Sequence, residues 1–210
     1  MLIDSHCHLD RLDLGPYEGR FERLVSETLA QGVGHMLCVG IDLESYPAMK
    51  ALVAGYPKIS VSVGVHPCDF DRREPNVAEL AALAKHPKNV AIGETGLDYF
   101  RADGDMAWQR KRFRTHIRAT KLANKPLIIH TRDAREDTIA ILQEEGAEAV
   151  GGVMHCFTET WPMARAAFTS FWLSPTIHTS GPGSPSPSSA SAASRMAGSG
   201  LTGTDGRAPT

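Results

Sequence analysis

The chain has no Cys-x-x-Cys pair, and its four cysteines, Cys7, Cys38, Cys68 and Cys156, lie far apart. That spacing argues against both a zinc knuckle and a disulfide framework and leaves small buried thiols. Long apolar runs are missing as well: none approaches the roughly 18 residues of a membrane span. The opening MLIDSHCHLD has neither the basic stretch nor the apolar core of a secretory signal. A soluble, cytoplasmic protein with no membrane partner is expected. Nor does one sign of charge dominate, since 22 Lys and Arg stand against 24 Asp and Glu. No general field then holds nucleic acid, and a phosphate-bearing substrate must meet its positive charge locally, from a few Arg and Lys or from bound metal. Finally, no glycine-rich phosphate fingerprint follows the first apolar run, which takes support from a dinucleotide-binding fold.

What the chain does contain is a succession of short apolar runs: Met1 to Ile3, Met36 to Val39, Ile59 to Val65, Val90 to Ile92, Leu127 to Ile129 and Val150 to Met154. Rich in Val and Ile, each reads as a buried parallel strand. Helical patterns lie between them. Phe21, Leu24, Val25, Thr28 and Leu29 keep a helical period; Leu80, Leu83 and Ala84 do so after Pro75; Met106, Phe113 and Ile117 form one stripe. Asp133 is placed to cap a helix that runs through Ile139 and Leu142 and stops at Gly146. Units of this size, about 25 to 36 residues, are βα crossovers. Repeated, they build either an open doubly wound sheet or a closed barrel. The expected fold is α/β, a TIM-type (β/α)8 barrel that is incomplete, with about six βα units over residues 1–172.

The polar residues favour the barrel. His6 with His8, His66, Glu94, His130 and His155 each stand where an apolar run stops, and barrel active sites are assembled at that carboxyl end from several strands. Five of the nine histidines occupy such positions, which chance placement explains poorly. In an extended strand Asp4, His6, His8 and Asp10 share one face while Ile3, Cys7 and Leu9 share the other. Two imidazoles roughly 6.5 Å apart on one strand face can reach a single ion, and Cys7 turns away from it. Four imidazoles and one carboxylate exceed what one tetrahedral ion needs, so two divalent ions with Glu94 between them are the economical reading. Glycines at 93 and 96 suggest tight backbone packing around that glutamate. Such a donor set suits Zn²⁺ or Mn²⁺, and Mg²⁺ less naturally. By contrast, His35, His86, His116 and His178 fall in helical or loop contexts and are expected to be structural. The basic run from Arg110 to Arg118 is read as the solvated face of a helix, and Arg101 is the better candidate for phosphate contact.

At this point the residues carry a resemblance. Asp4-Ser5-His6-Cys7-His8-Leu9-Asp10, Gly64-Val65-His66-Pro67, the run from Ile92 to Tyr99, the run from Lys125 to Ala134, and His155-Cys156-Phe157 resemble, in order, the motifs of the TatD family of metal-dependent deoxyribonucleases, within the amidohydrolase-like barrels. The likeness extends from Met1 to about Ala167. It implies that His6 and His8 bind one ion, that His130 and His155 bind the other, and that Glu94 bridges. It implies substrate contact or ligand orientation for His66, Asp98 and Arg132. The activity it implies is hydrolysis of DNA phosphodiester bonds by a water that two metal ions activate, with DNA as the partner and no obligatory protein partner. Two alternatives stand beside it: an amidohydrolase-like enzyme acting on a C–N or ester bond, and a non-catalytic metal-binding fragment.

Beyond Ala167 the pattern changes. From Ser174 to Thr210, 30 of the 37 residues are Ser, Gly, Pro, Thr or Ala, too little apolar surface to offset a chain entropy of about 1 to 2 kcal/mol per residue. Residues 173–210 are therefore expected to form a disordered tail. The abrupt change suggests a shifted reading frame or a truncated gene product, which sequencing the locus in related strains tests. The resemblance implies two further βα units here and an aspartate that binds the first ion and acts as base. Asp205, in Thr204-Asp205-Gly206-Arg207, is the candidate for it, although no apolar run precedes it and no proline follows. Without the last two strands, the barrel is expected to lie open between its sixth strand and its first.

Overall fold

The computed structural model describes residues 1–100, 102–155 and 157–171. The chain divides between Pro175 and Thr176, and all of these residues belong to the first unit. Arg101, Cys156, His178, Asp205 and the expected tail lie outside the described residues.

Each apolar run lies in a strand or overlaps one: β1 (Leu2–Cys7), β2 (Val33–Cys38), β3 (Ile59–Val63), β4 (Asn89–Asp98), β5 (Leu127–Arg132) and β6 (Gly152–His155). The six form one sheet in chain order, every neighbour parallel, as in Leu37 opposite Ser60, Ser62 opposite Ala91 and His130 opposite His155. Helices alternate with them: α1 (Phe21–Ala30), α2 (Tyr46–Leu52), α3 (Val77–Leu83), α4 (Ala107–Ala123), α5 (Arg135–Glu144) and α6 (Trp161–Phe171). α1 buries Phe21, Leu24 and Val25, one face of its turn spacing. α3 starts where the Asn76 side chain accepts from the Glu79 backbone N–H at 2.9 Å.

Strand alternation sorts the core into layers. Met36, Cys38, Val61, Val63 and Ile92 pack outward with Leu24, Tyr46, Met49 and Leu80 of the helices. Farther along the sheet, Leu97, Leu127 and Ile129 pack with Phe113, Ile117, Ile141 and Leu142. The opposite face carries only a thin layer, Val39, Ala91 and Ile128 with Leu37. The sheet curls about that inner face: the rings of His6 on β1 and His155 on β6 stack 3.5 Å apart although their strands are the two ends of the order. Inside lies a cavity of about 630 Å³ lined by Leu37, Ile128, Val153 and others. Leu2, Ile3 and Val153 are 67%, 60% and 46% exposed beside the opening. This is a half-barrel whose wall is open between β6 and β1, the incomplete TIM-type barrel expected from the strand count.

Several local expectations are corrected. The 7-residue α2 carries no long apolar period to mark it in the sequence; Pro47 opens it, pre-set for a first turn. Asp133 is not a helix cap: it adopts a left-handed backbone (φ 52°), and the residue before α5 is Ala134, which makes no capping bond. His35 is neither helical nor in a loop but lies in β2, its Nε2 2.9 Å from Ser60 Oγ. Strand β4 runs past Glu94 to Asp98. Its two glycines allow this, since a Cβ at Gly93 would stand 2.4 Å from the Ile128 carbonyl oxygen and one at Gly96 2.1 Å from that of His130. Only glycine lets β4 lie so close to β5. Finally, Arg112 is not solvated: within the basic run it is 1% exposed.

Candidate metal centre

The carboxyl ends of the strands converge on Glu94, a carboxylate that is 2% exposed. His6 Nε2 lies 3.2 Å from Oε2. On the other oxygen, Oε1, His130 Nδ1 stands at 3.1 Å, His66 Nε2 at 3.8 Å and His155 Nε2 at 3.9 Å. Two overlapping groups have donor atoms close enough for one ion each: His6, Glu94 and His155, and His66, Glu94 and His130. Glu94 is common to both.

Neighbouring carbonyls and carboxylates set the donor states. His8 Nδ1 donates to the Val39 carbonyl at 3.0 Å, so the neutral ring keeps its lone pair on Nε2. His130 is held between two acids, Nδ1 at Glu94 and Nε2 2.8 Å from Asp98 Oδ2. Burial is the largest influence on His130 and pulls its pKa down, yet its contacts with Glu94 and Asp98 together raise it. Burial opposes ionisation of Glu94 too, but the contacts with His130 and His6 and the charge of His66 outweigh it and hold the carboxyl well below the usual range. His66 moves the other way, pushed down to about 4 by burial and by the charge of His130 against the pull of Glu94 and Asp98. His155 is lowered by burial and by the charge of His6.

The donor set fits divalent ions. His6 Nε2 is buried and, although it lies 3.2 Å from Glu94 Oε2, has no hydrogen-bond partner. An unpartnered buried nitrogen costs about 1 to 3 kcal/mol, and a cation between it, His155 and Glu94 would satisfy it. Neutral imidazole nitrogens with a shared carboxylate are donors that Zn²⁺ and Mn²⁺ accept.

Of the nine residues singled out in the sequence, the structure brings His6, His66, Glu94, His130 and His155 into one cluster. His8 belongs to neither group, although its ring centroid is 5.2 Å from that of His6. The grouping pairs His155 with His6 and places His66 beside His130. Asp98 holds His130, and Arg132 lies over the Phe100 ring at 3.4 Å. Cys7 turns to the helix side, as strand parity requires, and its thiol donates to the Leu37 carbonyl at 3.2 Å.

Sequence reasoning missed a supporting layer on α4. Gln109 clamps the Asp98 backbone from both sides, accepting from its N–H at 2.9 Å and donating to its carbonyl at 3.0 Å. Arg112 donates to the His66 carbonyl at 2.7 Å, pairs with Glu74 and stacks on Trp108. His116 accepts from the Val65 N–H at 3.0 Å. The signal was present: 109, 112 and 116 share the helical stripe of Phe113 and Ile117.

A family model described as TatD related DNase matches residues 3–193. The chain belongs to that family. It is 40% identical over 176 residues to YabD of Bacillus subtilis (strain 168), an uncharacterized metal-dependent hydrolase, across 83% of this chain and 68% of that protein. It is 34% identical over 138 residues to the 3'-5' ssDNA/RNA exonuclease TatD of Escherichia fergusonii, across 65% of this chain and 53% of that one. Among solved structures, YJJV, a TatD homologue of Escherichia coli K12, superimposes with a TM-score of 0.71 at 24% identity, over 80% of this chain and 65% of that chain; this likeness concerns the fold. The TatD-type chain thus spans about half to two thirds of the length of the curated relatives it matches.

Proposed function

We propose that this chain is a metal-dependent hydrolase that cleaves DNA phosphodiester bonds. The observation that carries the reading is Glu94, buried and shared by two histidine groups, with His6 Nε2 left unpartnered beside it. His6, His8, His130 and His155 with Glu94 are the proposed ligands of two divalent ions, Zn²⁺, Mn²⁺ or Mg²⁺, and the geometry adds His66 on the His130 side. Ions held there would supply the positive charge a phosphodiester needs and activate water for its hydrolysis. The residues of the chain prepare that chemistry. Val39 fixes the His8 tautomer, and Asp98, accepting from His130 Nε2, orients that ring and leaves Nδ1 facing Glu94. Membership in the TatD family and the relative named as an ssDNA/RNA exonuclease support nucleic acid as the substrate. Among the described residues no helix is long and apolar enough to cross a membrane, and the free thiols Cys7, Cys38 and Cys68 suit a reducing, cytoplasmic setting.

The test is cleavage of end-labelled DNA by the full chain with each metal in turn. Metal-dependent cleavage that EDTA abolishes and Glu94→Gln eliminates is expected; cleavage that persists in EDTA or in Glu94→Gln refutes the reading. A second reading, metal binding without turnover, has its own support in the opening beside His155, whose side chain is 38% exposed. Bound metal at full stoichiometry with no cleavage would establish it.

A further inference from the structure

Lysine is distributed unevenly along this chain. All seven lysines fall between residues 50 and 125, and six of them stand at one end of the fold. Lys58 immediately precedes β3, Lys88 immediately precedes β4, and Lys125 stands two residues before β5. These are neighbouring parallel strands, about 4.8 Å apart. A proline adjoins each of the three, Pro57, Pro87 and Pro126, and fixes the local φ. Sheet bonds hold the backbone as well, since the Lys58 and Lys88 carbonyls accept from the Met36 and Val61 N–H at 3.0 and 2.8 Å. Lys50 and Lys121 lie in the last turns of α2 and α4, and Lys85 follows α3. Helices that join parallel strands run back to the strand starts, so all six lysines occupy the amino end of the strands, opposite the Glu94 cluster.

The charge of this end is uncompensated. Among the described residues no lysine makes an ion pair, whereas arginines such as Arg73, Arg114 and Arg118 do. Lys88 Nζ donates to the neutral carbonyls of Tyr56 and Ile59, and Lys121 Nζ to that of Glu145. Burial, and then the charges of Lys50 and Lys88, lower the pKa of His86, which places these three side chains together. At the end of α5, Glu144 and Glu145 are already paired with Arg114 and Arg118, and Glu148 stands past them toward β6. Beyond residue 171 the sequence holds one acidic side chain, Asp205, against Arg195 and Arg207, so the remainder of the chain cannot neutralise six cations. Helix polarity explains part of the pattern, because cations are favourable at helix C-termini. That covers Lys50, Lys85 and Lys121 but not Lys58, Lys88 and Lys125, which lie past the helix ends. Aliphatic side chains accompany the charge: Leu122, beside Lys121, is 65% exposed, and Leu2 is exposed at the start of β1.

We propose that the amino end of the half-barrel is a docking face for an anionic phospholipid surface. The six lysines meet the headgroups, Leu122 enters the interface, and the Glu94 cluster points away from the bilayer into water. Clusters of roughly four to eight basic residues attract anionic leaflets in this way, and lysine stems lie along apolar surface while their ammonium groups stay hydrated. The lack of a membrane-spanning run, from which no membrane partner is expected, does not bear on a protein that lies on the surface of a bilayer. Nucleic acid fits this face less well. Among the described residues, no unpaired arginine stands between these lysines to grip a phosphate with two bonds, and no exposed aromatic ring to stack on a base. The inference is independent of the hydrolase reading.

In the experiment the full chain is sedimented with sucrose-loaded vesicles and its partition is measured. Vesicles of equal parts phosphatidylglycerol and phosphatidylcholine should bind it, and vesicles of phosphatidylcholine alone should not. Raising the salt from about 0.1 M to about 1 M, which shortens the Debye length from about 10 Å to about 3 Å, should release it. Each lysine at the surface contributes about fivefold, so Lys58→Gln combined with Lys85→Gln should weaken partition roughly 25-fold. Lys58→Arg combined with Lys85→Arg should retain it. Both side chains are exposed, so folding is not at stake. Lys111→Gln, near the other end of α4, should change nothing. Partition that ignores lipid charge, a double Gln variant that binds like the unmodified chain, or an equal loss in Lys111→Gln overturns the docking face. So does binding of duplex DNA in EDTA through Lys58 and Lys85 with no uptake by vesicles, which assigns the face to nucleic acid.

Discussion

Acidification should weaken this fold through His116, which is not among the proposed ligands and belongs to neither metal group. The ring is fully buried on α4. Its Nδ1 donates to the Arg112 carbonyl at 2.8 Å and its Nε2 accepts from the Val65 N–H at 3.0 Å. Both bonds are made by one neutral tautomer. Protonation would set an Nε2–H against the Val65 N–H and place a charge in the core near Arg112. Burial first, and then the Arg112 charge, push the pKa down to about 4, against the opposing pull of the Arg112 carbonyl.

The sign follows from which state takes the proton. An unfolded histidine titrates near 6.5, so between there and about 4 the unfolded chain gains a proton that the folded chain refuses. The contribution is therefore complete above the unfolded value and is lost as pH falls through this window. Linkage puts the loss between about pH 7.5 and about pH 5 at roughly 2 kcal/mol. Urea unfolding at the two pH values, on the unmodified chain and on His116→Gln, isolates the effect. Gln can accept from Val65 but does not titrate. The variant should be less stable at the higher pH, by about 1 to 2 kcal/mol for the lost Arg112 bond, and should lose about 2 kcal/mol less on acidification. Parallel losses in the two proteins would refute the reasoning.

Other outcomes follow from the same contacts. In metal titration by calorimetry, Glu94→Ala should lose every ion because both groups share that carboxylate, whereas His155→Ala should lose one and keep the other; an ion retained in full by Glu94→Ala ends the bridging role. Arg112→Met strands the His66 carbonyl, at a cost of about 1 to 3 kcal/mol, and should loosen metal binding on the His66 and His130 side; unchanged stability in urea would show that the bond contributes nothing. Cys7→Ser should lower stability by about 1 kcal/mol and leave metal affinity as it was, since the thiol faces the helices; a large loss of affinity would contradict the side-chain alternation of β1.

Local period by itself determined much of this protein. Alternation along a strand is a property of the backbone, so the short Val and Ile runs located the six strands, and the same alternation separated Cys7 from His6. Length and order of the runs then led to parallel βα units, and histidines at the ends of runs marked the mouth. The close approach at Gly93 and Gly96 was also legible, because a glycine on each side of a buried acid has few other uses. Tertiary structure alone decided the rest. Which histidine stands beside which depends on how far the sheet curls, and the stacking of His6 on His155 joins residues at opposite ends of the strand order. Arg112, inside a run of cations, reads as solvated until the packing of α4 on the loop after β3 gives its guanidinium Glu74 and the His66 carbonyl. Periodicity names the face a residue occupies, but only the assembled sheet and helices determine what meets it there.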